Sequence, residues 1–144
     1  MPSTHPVRLT QFNHVALHVT DVKASVRFYR RVLGLRTLPR PDYPFAGAWL
    51  RLTHGNDLHL ICARPTDLPQ AAVTGHFALA VEDIEAAAAH LRSLEVEFDG
   101  PAPRPDGVPQ LFLLDPDGHV VDLCCPRARR PAKLAAARGS AKKR

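Results

Sequence analysis

The chain has 144 residues, 45% of them apolar, which is enough to bury one compact core, and no apolar run reaches the roughly 18–20 residues of a membrane-spanning helix. Three cysteines make an odd count, and "MPSTHPVRLTQFN" carries no apolar leader, so a disulfide framework is not expected and a cytoplasmic location is. The formal net charge of +5 belongs to one end: eight of the 19 Lys and Arg lie in residues 127–144, leaving 11 against 14 acidic residues in 1–126, a balance of −3.

Taken in chain order, residues 1–11 read as an N-terminal extension. "NHVALHV" follows from Asn13, and its alternation puts His14, Ala16 and His18 on one strand face and Val15, Leu17 and Val19 on the other. Asp21 is placed to cap a helix over "VKASVRFYRRVL", with Val22, Val26, Tyr29 or Phe28, and Leu33 inward and Gly34 as terminator. Strands are predicted at "LRTL", "AWLRL" and "LHLICA", separated by the Pro-rich loop 39–47 and by the turn "THGND" at 53–57.

A linker, 65–74, leads to "GHFALAV" from Gly75, where His76, Ala78 and Ala80 share a face. "DIEAAAAHLRSL" reads as a second helix with Ile84, Ala87, Ala88 and Leu91 inward. "VEF", "QLFLL" and "HVVDLCC" are the remaining strands. A loop is expected over "GPAPRPDGVP" (100–109), and a hairpin turn over "DPDGH" (115–119), centred on Asp117-Gly118. The basic stretch 127–144 is too polar and too rich in small residues to build a core, and reads as a flexible tail.

The two halves repeat. At an offset of 62, His14 matches His76, Ala16 matches Ala78, Leu17 matches Leu79, Val19 matches Val81, Asp21 matches Asp83 and Ala24 matches Ala86. At an offset of 63, Gly55 matches Gly118, Leu60 matches Leu123 and Cys62 matches Cys125, which sets His59 opposite Asp122. The expected fold class is therefore α+β: two tandem βαβββ modules, 12–64 and 75–126, forming curved mixed sheets around a central cavity.

In that arrangement each module offers two ligand-type side chains at equivalent places, His14 and His59 in the first and His76 and Asp122 in the second. A carboxylate inside an apolar concavity is costly unless paired or coordinated. Imidazoles with a carboxylate suit Zn, Ni, Co, Mn or Fe as a divalent ion, with open positions for substrate. Trp49 and Phe112 fall on equivalent strands and read mainly as sheet packing, with Trp49 also a candidate for the substrate face. Cys124 shares the face of Asp122; it reads first as an inert buried thiol, and second as a lining residue.

"NHVALHVTDVKASVRFYRRVLGL", "GHFALAVEDIEAAAAHL" and "LFLLDPDGHVVDL" together resemble the vicinal oxygen chelate superfamily, which holds glyoxalase I, bleomycin-resistance proteins, fosfomycin thiol transferases, methylmalonyl-CoA epimerase and extradiol dioxygenases. The resemblance spans residues 12–125. It implies a metal held by His14, His76 and Asp122, the last standing where the family usually has Glu. His59 takes the place of a second Glu of glyoxalase I, a ligand and candidate base there. His18 falls where glyoxalase I has an arginine that meets a glutathione carboxylate, and Arg36, Arg40, Arg51 and Arg104 are the other cations available for that contact.

The resemblance implies a metal-dependent lyase or isomerase of glyoxalase type, acting on a small oxygenated substrate with glutathione or another thiol as cosubstrate. A thiol transferase or ring-cleaving dioxygenase is the alternative reaction. A non-catalytic drug-binding protein of bleomycin-resistance type is the alternative class. A homodimer is expected. Nucleic acid is not an expected partner, since no aromatic residues interleave with the basic ones.

Overall fold

A computed structural model describes residue 6, residues 11–63 and residues 75–126. The linker 65–74 and the tail 127–144 lie outside the described residues, as does the N-terminal extension apart from residues 6 and 11. The chain divides into two compact units, Met1–Leu68 and Pro69–Arg144.

The first unit runs β1 (His14–Val19), α1 (Val22–Leu33), β2 (Arg36–Leu38), β3 (Gly47–Thr53) and β4 (Asn56–Cys62). The second runs β5 (His76–Ala80), α2 (Ile84–Ser93), β6 (Phe98–Pro103), β7 (Pro109–Leu114) and β8 (Val120–Cys124). Each unit forms a mixed four-stranded sheet, in the orders β1-β4-β3-β2 and β5-β8-β7-β6. In both, the first strand lies parallel to the last and the other pairs are antiparallel. The repeated sequence is thus a repeated βαβββ topology within an α+β fold.

The helices start and stop where their caps dictate. The Asp21 carboxylate accepts from the Ala24 amide at 2.9 Å, and Gly34 at φ 68° closes α1, its N–H donating to the Arg30 carbonyl while the Leu35 N–H donates to the Tyr29 carbonyl. The Asp83 carboxylate accepts from the Glu85 and Ala86 amides at the start of α2. Within α1 the fully covered positions are Ser25, Tyr29 and Val32, while Val22, Val26 and Leu33 are half-buried. The inward stripe is therefore rotated from the one expected, and Tyr29 takes the core place in preference to Phe28. In α2, Ile84, Ala88 and Leu91 are buried and Ala87 is half-buried.

α1 packs on β2, β3 and β4, and α2 on β6 and β7. The strand residues turned to the helices are the alternating set: Val19, Leu50, Leu58 and Leu60 in the first unit, and Leu111, Leu113, Val121 and Leu123 in the second, all buried. Each such side chain contributes about 1.5–3 kcal/mol on burial.

One strand lies where a loop is expected. β6 extends from Phe98 through Gly100, Pro101 and Pro103. It is an edge strand, paired only to β7 and shifted in register between Asp99 and Ala102, so prolines are tolerated in it. Gly100 has φ 103°, and a Cβ there would sit 2.9 Å from the Gln110 carbonyl oxygen. The "DPDGH" turn forms as expected, with the Asp115 carboxylate accepting from the amides of Asp117 and His119, each at 2.9 Å.

Ser25 is fully buried in α1 and its hydroxyl has no hydrogen-bond partner. An unsatisfied buried hydroxyl costs about 1–3 kcal/mol. Ser25→Ala is therefore expected to stabilise the protein by about 1 kcal/mol, read as a higher denaturant midpoint at unchanged slope.

Candidate functional site

The site begins with strand alternation. In β4, Leu58 and Leu60 point under α1, so His59 points from the opposite face of the sheet. Register then sets its neighbours: Ala16 on β1 and Trp49 on β3. The small side chain of Ala16 leaves room for the His14 ring, two residues earlier on the same face, to lie over His59.

The outcome is a three-ring stack. His14 and His59 stack with centroids 4.1 Å apart and planes 15° from parallel, and His59 and Trp49 with centroids 4.2 Å apart and planes 5° from parallel. His14 Nδ1 donates to Asn13 Oδ1 at 2.7 Å in the tautomer that leaves Nε2 a lone pair. Burial, followed by the neighbouring His14, pushes the His59 pKa below its ordinary value. His59 is therefore held toward the neutral imidazole, the form that accepts a proton or binds a metal.

Sequence reasoning missed two parts of this surface. Asn13, the first residue of the "NHVALHV" stretch, orients His14. Tilted rings extend this surface into the 39–46 loop, where the Tyr43 centroid lies 6.3 Å from Trp49 and 5.2 Å from Phe45. The Arg40 guanidinium sits 4.6 Å from the Tyr43 ring and donates to the Phe45 carbonyl at 3.0 Å. Its one signal in the sequence is a set of aromatic and basic side chains within a Pro-rich loop.

The second unit holds the equivalent pair. Asp122 on β8 is flanked by Ala78 on β5 and Phe112 on β7, matching the neighbours of His59. It is only 2% exposed. His76 Nε2 lies 3.9 Å from Asp122 Oδ2, too far for a hydrogen bond, and Asp122 Oδ1 has no partner. Burial raises the Asp122 pKa, while His76 and Arg104 pull it back. Phe112 meets the His76 ring edge-on at 5.8 Å.

Of the other expected site residues, His18 is exposed on β1, on the same face as His14. Cys124 is buried two residues beyond Asp122, and burial followed by the Asp122 carboxylate raises its thiol pKa. It is a poor nucleophile there. Arg51 and Arg104 are engaged with Asp57 at 3.1 Å and Asp106 at 2.8 Å.

The structure thus brings together His14, His59 and Trp49 in one unit and His76 and Asp122 in the other. Among the described residues no group of three His, Cys, Asp or Glu is gathered around a metal position. Each unit supplies two ligand-type side chains, His14 and His59 in the first and His76 and Asp122 in the second. The donor types suit a first-row divalent ion, and the unsatisfied buried carboxylate is the group such an ion relieves.

Comparison with known proteins bears on the whole fold. The profile described as Glyoxalase/Bleomycin resistance protein/Dioxygenase superfamily matches residues 11–123. "Glyoxylase I 4" of Arabidopsis thaliana is 33% identical over 128 residues, covering 83% of this chain and 73% of the relative. "Lactoylglutathione lyase" of Pseudomonas aeruginosa is 30% identical over 152 residues, covering 82% of this chain and 85% of the relative. The crystal structure of a glyoxylase/bleomycin resistance protein/dioxygenase domain from Frankia sp. EAN1pec superposes with a TM-score of 0.70 at 23% identity, covering 83% of this chain and all of that one.

Trp49 is the one tryptophan of the chain and lies flat on His59, which makes its fluorescence a reporter of that imidazole. An imidazolium quenches indole more than neutral imidazole does. Trp49 emission in metal-free protein is therefore expected to fall with decreasing pH, with a midpoint below the ordinary imidazole value of about 6.5. His59→Ala removes the step. A midpoint above that value contradicts the half-buried, neutral His59.

Proposed function

The chain belongs to the Glyoxalase/Bleomycin resistance protein/Dioxygenase superfamily, and on that premise we propose that it is a metal-dependent lyase or isomerase of the glyoxalase type. The observation that carries this reading is Asp122, a buried carboxylate with an orphaned oxygen beside His76, at the register position that His59 fills in the other unit. A pocket that only bound an aromatic drug gains nothing from a desolvated carboxylate, and a binder of a cationic drug is separated from this reading by its metal content.

In this proposal His14, His76 and Asp122 hold one divalent ion, with His59 as fourth ligand or adjacent base. When bound, that ion supplies Lewis-acid polarisation of two vicinal substrate oxygens. The neutral His59 ring, fixed between His14 and Trp49, takes the proton from the substrate carbon onto a ring nitrogen and returns it to the neighbouring carbon. Such a transfer isomerises the substrate with no external oxidant. Trp49 presents the indole edge of the stack to the substrate, while His18, on the same sheet face as His14, and Arg40, which acts electrostatically on His59, are the cation-forming groups for a substrate carboxylate.

The relatives named lactoylglutathione lyase suggest the hemithioacetal of a 2-oxoaldehyde with glutathione as the first substrate to try. We assign the enzyme to the cytoplasm, and the described residues include no helix long and apolar enough to cross a membrane.

Protein loaded with nickel or zinc is expected to consume the methylglyoxal–glutathione hemithioacetal. His76→Ala is expected to lower bound metal, measured by elemental analysis, and to cut turnover at least about 100-fold. Asp122→Glu keeps metal and most activity. His59→Ala keeps metal, and loses turnover if His59 is the base. Metal-loaded protein inert toward the hemithioacetal, toward thiol addition to fosfomycin and toward catechols with oxygen overturns the enzyme reading.

The expected homodimer is checked by light scattering. If donors come from two chains, mixing His14→Ala with Asp122→Ala restores part of the metal binding; if from one chain, mixing restores none.

A further inference from the structure

Eight arginines lie among the described residues, and they fall into two groups. Arg40, Arg51, Arg92 and Arg104 each have a partner: the Phe45 carbonyl, the Asp57 carboxylate, the Phe98 ring and the Asp106 carboxylate. Arg27, Arg30, Arg31 and Arg36 are all exposed and have no such partner among the described residues. These same four rim one concavity of about 760 Å³, together with Gly34 and Thr37, and among the described residues no acidic side chain lines it.

The sequence builds this grouping. Positions 27, 30, 31 and 34 fall on one face of α1, and Gly34 ends the helix with open space where a side chain would stand. Arg36 enters from β2, the edge strand of its sheet. It stands directly across from Arg51, which Asp57 neutralises, while Arg36 stays uncompensated.

Helix-end electrostatics accounts for part of the cluster only. Arg30 and Arg31 lie in the last turn, near the unpaired carbonyls. Arg27 lies a turn earlier, and Arg36 lies past the helix on a strand. Like charges three and four residues apart oppose helix formation. A concave surface that holds four guanidinium groups with no acidic partner among the described residues is complementary to clustered negative charge.

We infer that this concavity is a binding site for a small molecule carrying two or three adjacent phosphates. The guanidinium fork binds phosphate oxygens two at a time, and the volume lies in the range of small-molecule sites. The site sits beside α1 and β2, uses none of the residues assigned to the metal or the acid–base step, and is independent of the reaction proposed above.

The test uses the full chain and inorganic tripolyphosphate, followed by titration calorimetry at two salt concentrations. The triple variant Arg27→Gln, Arg30→Gln, Arg31→Gln is expected to weaken binding at least about tenfold. The triple variant Arg127→Gln, Arg129→Gln, Arg130→Gln, which removes the same charge from the tail, is expected to weaken it less than about twofold. Arg36→Gln leaves α1 untouched and is expected to weaken binding about threefold, so the proposal stays testable if the helix variant folds poorly. Equal losses in the two triple variants, no tripolyphosphate binding by the unmodified chain, or binding to duplex DNA alone overturns the inference.

Discussion

A β-strand has two faces, and one helix covers only one of them. That constraint organises each unit of this protein. α1 and α2 take the leucine and valine set of their sheets, and every second residue must then serve another purpose. Those second residues are His14, His59 and Trp49 in one sheet, and His76, Phe112 and Asp122 in the other. A one-residue slip in either register would exchange the core for the site. The caps at Asp21 and Asp83 and the turn at Asp115–His119 fix those registers.

The two sheets answer the same constraint with different chemistry. Where the first unit has an imidazole between two other rings, the second has a carboxylate between an alanine and a phenylalanine. The half-buried imidazole carries little desolvation cost, because neutrality removes it. The carboxylate has no such escape. Burial favours its protonated form, His76 and Arg104 favour the charged one, and neither completes its hydrogen bonds. Proteins keep such a group when something else offsets its desolvation, and in this superfamily member a divalent cation is the partner that our proposal supplies.

Much of this is legible in the sequence because it depends on local rules. Strand alternation places His14 with Ala16, the caps fix both helices, and the offset of 63 places His59 opposite Asp122, a match the register reproduces. The parts that are not legible depend on contacts between elements. The rotation of α1 that buries Ser25 and Val32 is set by packing on β2, β3 and β4. The strand through Gly100 and Pro101 reads as a loop because an edge strand needs only one side of its backbone to pair. Nor does spacing alone say that four arginines from a helix and a strand line one concavity.

If Asp122 is retained for a cation, its thermodynamic signature is a crossing of stabilities. Thermal unfolding of wild type and Asp122→Asn, each with chelator and with saturating nickel or zinc, measures it directly. The buried carboxylate is expected to cost stability in metal-free protein, so that Asp122→Asn has the higher Tm with chelator, and metal is expected to raise the wild-type Tm above the variant's. Contradiction comes from a variant less stable than wild type in chelator, with both proteins showing the same shift on adding metal.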